Sequence, residues 1–316
     1  MFLNRNILKI NRKAFTMLEL IFVIVIMGIM GKFGVEFLAQ AYNSFIFSNI
    51  NNTLQSQSGT AVEFISTRLQ HRIKDSAIVR NTNINQASTA DDIWNLLTQS
   101  EDENATVLEW VSADIDSFRG ISDSVTGVPY LPNWTGIIDV DAGNANFITS
   151  PGTDTIEVNS LISILSDGNS TINDAAIYFI GSSSQANGWG YDGALITDQN
   201  ASIHPINLVA GLPTRFGSST TVPVNFSGVE VYEYYKLAWT ANAVAHNFAT
   251  GELRFYYDYQ PWKGENYLDD GKSFVIMENV SSFRFRSVSS LIKVQICVKS
   301  NQTNEEYSIC KEKTIF

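Results

Sequence analysis

The sequence predicts an α+β protein: a long amino-terminal helix, part membrane-spanning and part stem, followed by a mainly antiparallel β domain. Three observations carry this expectation. The 17 residues from Phe15 to Gly31 hold a single charge, Glu19. Beyond them, apolar residues recur mostly at three- or four-residue steps, from Leu38, Tyr42, Ile46, Ile50 and Leu54 to Ala61, Ile65, Leu69 and Ile73, which is one face of a helix. From Gly251 onward, short runs rich in β-branched and aromatic residues are separated by turn residues, the pattern of hairpin-linked strands.

The first segment, 1–14, carries Arg5, Lys9, Arg12 and Lys13 and no acid. Such a basic flank stays in the cytoplasm while the chain beyond it crosses outward. The run from Phe15 to Gly31 makes about 25 Å of helix, just short of a hydrocarbon core; Phe33, Gly34 and Val35 extend it, and Lys32 can snorkel. Met27 to Gly34 offers scattered glycines rather than the small-residue cut site of a secretory signal, so cleavage after the run is not expected. The boundaries are therefore a leader at 1–14, a spanning segment at 15–35, a periplasmic stem helix at 36–78 and a β-rich globular domain at 79–316. Between Phe37 and Val62 no residue is charged, so the stem is expected to pack on protein, partly on other chains and partly under its own domain, with Gly59 near the changeover.

Glu19 sets the central question. An unpaired carboxylate within a spanning helix costs about 2–3.5 kcal/mol, and a partner charge removes most of that cost. A cut between Ala14 and Phe15 would place a new α-amine one helical turn from Glu19, and either that amine or a neighbour's can neutralise it. The plainer alternative is a signal anchor with an incidental acid.

Lys13, Ala14, Phe15, Thr16, Glu19 and the apolar run to Gly31 together resemble the processing and methylation motif of type IV prepilins and of the pseudopilins of type II secretion. The resemblance covers about the first 50 residues. It implies cleavage after Ala14, N-methylation of Phe15 by a prepilin peptidase, and a role for Glu19 in registering the subunit against a neighbour's amine during assembly. It also implies other pilin or pseudopilin subunits, an inner-membrane assembly platform and membrane lipid as partners. The expected location is single-pass in the inner membrane, amino terminus cytoplasmic and head periplasmic, and then a filament. Ala14 stands where the family most often has Gly, which implies slower processing. Glu36 stands where major pilins often carry a helix proline; Gly28, Gly31 and Gly34 can supply flexibility instead, each weakening a helix by about 1 kcal/mol relative to Ala.

Charge narrows the partners. Four of the 21 basic residues lie in the leader, leaving 17 against 32 acids, a charge of −15. With no basic stripe, nucleic acid is not an expected partner. His71, His204 and His246 sit in unrelated contexts, and no spacing nominates a zinc site, a phosphate loop or a nucleophile elbow, so neither cofactor, metal nor enzymatic activity is expected. Asp139 to Asn146 superficially resembles a calcium loop, but its Gly143 comes one place too early for an EF-hand and no glutamate follows at the right distance; a solvated turn is the better account. Asp269-Asp270-Gly271 reads as a tight turn.

In the middle of the chain, Ile93 to Leu97 reads as a turn or two of helix, and Thr155 to Val158, Ala175 to Ile180 and Val229 to Tyr235 as strands. The carboxy-terminal strands are expected at Glu252 to Tyr259, Ser273 to Met277, Val280 to Val288 and Leu291 to Val298. Phe255, Tyr256, Tyr257, Tyr259 and Trp262, with Trp189 and Tyr191, read first as packing and second as a carbohydrate or protein contact surface. In the last of these strands Cys297 alternates away from Ile292, Val294, Ile296 and Val298, and Cys310 is its only possible internal partner. A hairpin turning at Thr303-Asn304 would set the two cysteines opposite each other; an oxidising compartment permits the bond, with two reduced thiols or metal or redox use as the alternatives.

The expected function is that of a minor pilin or pseudopilin, a low-copy subunit that inserts into, primes or tips a filament. The size and strand-rich end are similar to the large minor subunits of the J type in type II secretion and the W type in type IV pili. The rival readings are a membrane-anchored adhesin or binding module using the same export route and, last, an anchored enzyme.

Overall fold

The computed structural model describes residues 16–80, 93–95, 105–123, 128–183, 186–197, 201–219, 225–288, 291–300 and 307–316. The leader, the Ala14–Phe15 cut and the Thr303-Asn304 turn lie outside the described residues. Helix α1 runs unbroken from Met17 to Gln70. The chain divides into two compact units, Met1–Thr53 and Leu54–Phe316, and the division falls within α1, slightly before Gly59. In the first unit almost every described side chain up to Asn49 is exposed.

The helix stops at Gln70, short of the expected limit at residue 78. The reason is competition from a strand: Ile73 N–H donates to Val111 O at 2.9 Å, and Ala113 N–H to His71 O at 2.9 Å, so the backbone groups beyond Gln70 turn to the sheet. There follow β1 (Ile78–Arg80), β2 (Ile93–Asn95), β3 (Val107–Ser112), the short helix α2 (Ile115–Arg119), and the paired β4 (Ile121–Asp123) and β5 (Val128–Leu131). Next come β6 (Asp139–Asn144), β7 (Phe147–Thr149), helix α3 (Thr155–Leu165), β8 (Ala176–Phe179), β9 (His204–Leu208), β10 (Arg215–Ser218) and β11 (Tyr235–Ala238). The chain finishes with β12 (Thr240–Asn247), β13 (Glu252–Tyr257), β14 (Lys272–Met277), β15 (Val280–Val288), β16 (Leu291–Lys299) and β17 (Ser308–Ile315).

These strands form two six-stranded sheets, one three-stranded sheet and one pair, every described pairing being antiparallel. The first sheet, in order β14-β13-β12-β3-β1-β2, has one face under the α1 segment from Leu54 to Leu69, where Ile65 and Leu69 are wholly buried and Phe64 meets Phe255 edge-on at 5.1 Å. Its other face buries Val107, Val111 and the alternating Ala241, Ala243 and Ala245 against Trp189, Tyr259 and Trp262. The second sheet, in order β11-β8-β9-β10-β7-β6, closes on itself: Tyr235 N–H donates to Gly136 O at 3.0 Å and Ile138 N–H to Glu233 O at 2.7 Å, so the chain leading into β6 meets the chain leading into β11. Val158 and Ile162 of α3 contribute to its core with Ile177, Phe179, Phe216 and Leu237.

Four local expectations are corrected. Thr155 to Val158 opens α3 rather than forming a strand: Asp154 caps it by accepting from Ile156 N and Glu157 N, and the buried Thr155, Val158 and Ile162 follow a helical step. Ile93–Asn95 is a strand, because pairing with β1 (Val79 opposite Trp94) outweighs its local preference. Val229 to Tyr235 is mostly irregular; the strand begins at Tyr235, where pairing with Phe179 becomes available. Asp139–Asn144 is an exposed edge strand, and only the residues after it turn, with Asn144 Oδ1 accepting from Asn146 N and Phe147 N. Ala176–Phe179 and the carboxy-terminal strands fall where the alternation places them, although the first of these, β13, ends at Tyr257 rather than Tyr259.

Candidate functional site

The head of α1 is built from an apolar helix and one acid. Thr16 precedes the first helical residue, and Glu19 lies three positions on, the spacing of a capping box. Thr16 Oγ1 accepts from Glu19 N–H at 3.4 Å, while the Glu19 carboxylate accepts from Thr16 N–H at 3.4 Å and from Thr16 Oγ1 at 3.3 Å. These contacts are long, and among the described residues Thr16 is the only partner Glu19 has. The acid also sits in the first turn, where the helix dipole favours negative charge. The Thr-x-x-Glu spacing was readable in the sequence, yet its capping role is visible only once the helix start is fixed.

Below that head, the helix exposes Ile21, Phe22, Ile24, Met27, Phe33 and Phe37 among other large apolar side chains. It is long and apolar enough to cross a membrane, and its most apolar stretch has no buried residue. After Glu19, the charges before residue 63 are Lys32 and Glu36, which pair at 3.8 Å on one exposed face. A Cβ added at Gly28, Gly31 or Gly34 would meet nothing within 4 Å, so these positions leave that side of the helix open.

Cys297 and Cys310, directly opposed on β16 and β17, are joined by a disulfide. It ties the final strand to a central one whose Ile292, Val294, Ile296 and Val298 are buried. Lys313 of β17 in turn reaches Glu63 of α1 at 2.5 Å.

The aromatic group read from the sequence is mainly core. Trp189, Tyr191, Tyr259 and Trp262 are almost wholly buried, Phe255 and Tyr256 nearly so, and only Tyr257 keeps partial exposure. Enclosed by these rings lies an ion pair that sequence reading missed. Arg80 Nε donates to Glu109 Oε2, Arg80 Nη2 donates to Tyr191 O at 2.9 Å, and Tyr259 Oη donates to Glu109 Oε1 at 2.8 Å. Burial pushes Arg80 toward its neutral form, but the charge of Glu109 and its hydrogen bond outweigh this and leave the guanidinium pKa raised. Burial, with the adjacent Glu109 charge, holds the Tyr191 and Tyr259 hydroxyls well above their ordinary range. The cluster is a structural network inside the sheet in which Arg80 Nη1 stays without a hydrogen-bond partner; no signal along the chain links residues 29 positions apart.

Among the described residues no group of three or more His, Cys, Asp or Glu is placed to hold a metal ion. No family model, curated protein or solved structure matches this chain.

Proposed function

We propose that this chain is a minor pilin or pseudopilin, processed after Ala14, methylated at Phe15, and inserted by its helix into a pilus-like or type II secretion filament. The observation that carries the reading is Glu19: an acid at the head of an exposed apolar helix, whose only described partner is the threonine three residues before it. In lipid such a group needs a cation. The amine created by cleavage before Phe15, its own or a neighbour's, supplies one, and burying the two charges together offsets their separate desolvation.

The β-rich unit then stays on the outer face of the inner membrane, and its bulk suits a subunit present in few copies. Supporting partners are other pilin-like subunits, a prepilin peptidase and an inner-membrane assembly platform. The test is intact mass of the chain purified from membranes with and without a co-expressed prepilin peptidase. A product starting at Phe15, with or without an added methyl, supports the reading; an uncut chain in both cases overturns it and favours a plain anchor for a binding module.

A further inference from the structure

Beside the chain from Gln55 to His71, almost all of it α1, runs a cleft of about 1190 Å³, walled by that helix and floored by the part of the first sheet's helix-side face that the helix leaves uncovered. All of its lining belongs to the unit Leu54–Phe316. The helical wall is about 24 Å long, the span of roughly seven residues of extended chain.

Its lining combines two chemistries. Tyr257 and Phe274 lie 6.1 Å apart with part of each ring open to solvent, backed by Phe255 and Phe64. Arg68 and Arg119 line it as well, both exposed, and among the described residues neither guanidinium has a hydrogen bond or ion pair, Arg68 resting only on the Phe64 ring at 5.6 Å. Of the two acids in the cleft, Glu63 is taken by Lys313, leaving Asp116 alone against two arginines. His71 registers the resulting field: burial first, then Arg119, with further contributions from Arg68 and Lys236, lowers its pKa against the opposing charge of Asp116. A cationic patch of this kind stands out in a chain of net charge −11.

We propose that this cleft binds an extended peptide segment of a partner protein, one that lays an aromatic or large aliphatic side chain on Tyr257 and Phe274 and sets an acidic residue against Arg68 and Arg119. The length of the wall favours an extended chain over a compact ligand. The apolar floor gives a side chain somewhere to be buried, and the arginine forks match carboxylate geometry. This inference concerns the globular unit and does not depend on the filament reading.

The test uses the full chain in detergent and an array of nine-residue peptides. Each peptide has a central Phe, Tyr, Trp or Leu flanked on one side by Asp or Glu; a matched array carries Lys in place of the acids, and a third array carries neutral and uronate oligosaccharides. Binding confined to the acidic peptides, weakened at least tenfold by the double variant Arg68→Ala/Arg119→Ala and separately by Phe274→Ser, is the expected result. Both arginines are exposed, and an unchanged thermal midpoint checks that the double variant folds. Equal binding of the lysine set, binding of oligosaccharides alone, no binding to any array, or full binding by the double variant would each overturn the proposal.

Discussion

Glu109 and Glu19 present the same chemical problem in two regions of the chain, and the two regions solve it differently. Glu109 is wholly buried in the first sheet, and the fold surrounds it with Arg80 and the Tyr259 hydroxyl. Glu19 sits at the head of an exposed apolar helix and, among the described residues, meets only Thr16, at 3.3–3.4 Å. In the globular unit the chain completes its own charge pair. In the helix, no cation among the described residues pairs with the acid. A carboxylate in apolar surroundings is costly unless paired, so the contrast separates an acid whose partners the fold supplies from one whose partner the proposed assembly would have to supply.

The sharpest way to break this comparison is to remove one partner of the buried pair. Glu109→Ala leaves Arg80 charged and uncompensated in the core and is expected to cost about 3–5 kcal/mol, read as a lower urea midpoint for the full chain in detergent. Replacing both partners, as Arg80→Met with Glu109→Leu, is expected to recover most of that loss, because an apolar pair carries no desolvation penalty. If the single and double variants are equally unstable, the network is not an ion pair in the energetic sense and the contrast with Glu19 fails.

A somewhat smaller effect is expected from the carboxy-terminal bond. Closing a loop of 13 residues between Cys297 and Cys310 contributes roughly 3 kcal/mol on the chain-entropy model. Cys297→Ser with Cys310→Ser should therefore lower the unfolding midpoint, with hydrogen exchange rising first in β17. Exchange spread evenly over both large sheets would instead make the bond a determinant of the whole unit.

Two further buried groups sharpen the same contrast through pH. Burial raises the Asp114 carboxyl to about 6 from its ordinary 3.8, and lowers the His204 imidazole to about 4 from 6.5. The raised acid binds its proton more tightly in the folded state, so its stabilisation is full below about 3.8 and is lost as pH rises to about 6. The depressed base has the opposite sign: its contribution is full above about 6.5 and is lost as pH falls to about 4. Each is worth on the order of 3 kcal/mol, and in the parent they nearly cancel. Asp114→Asn, which keeps an amide oxygen to cap α2 at Ser117 N, is expected to leave stability rising from about pH 4 to about 6.5. His204→Gln is expected to leave it falling. Urea midpoints at several pH values read both slopes, and a flat profile in either variant removes the remaining group, His204 or Asp114 respectively, from the account.

Much of the fold was legible because periodicity is local. The apolar helix, β8 and the strands from Glu252 onward follow from three- and two-residue repeats, and the opposed cysteines from alternation about a polar turn. What sequence reading missed depended on contacts across the chain. Thr155 to Val158 has strand-like composition, but Asp154 in front of it supplies a cap and Ile162 behind it a helical step. Ile93–Asn95 becomes a strand because β1 offers an edge. The Arg80–Glu109 pair and the closure of the second sheet between Gly136–Ile138 and Glu233–Tyr235 join segments that carry no mark of each other. At the head of the helix, the acid was conspicuous by its type and place, while its reciprocal bonding to Thr16 required the helix start.

The smallest change in folding stability, and the most informative about Glu19, is expected from Glu19→Gln. A glutamine side chain can still accept from Thr16 N–H, so the helix start and membrane insertion should be retained, with unfolding of the globular unit unchanged within about 0.5 kcal/mol. It cannot neutralise an amine. If Glu19 acts by charge, the variant inserts and is cleaved as the parent is, yet fails to enter or prime filaments, as Glu19→Val should also fail; incorporation is read by sheared-filament fractionation and by crosslinking to co-expressed pilin-like subunits. If Glu19→Gln assembles normally while Glu19→Val does not, the residue serves as a cap for α1. If both assemble, the acid is incidental to assembly, and the function of the chain then rests on what its globular unit binds.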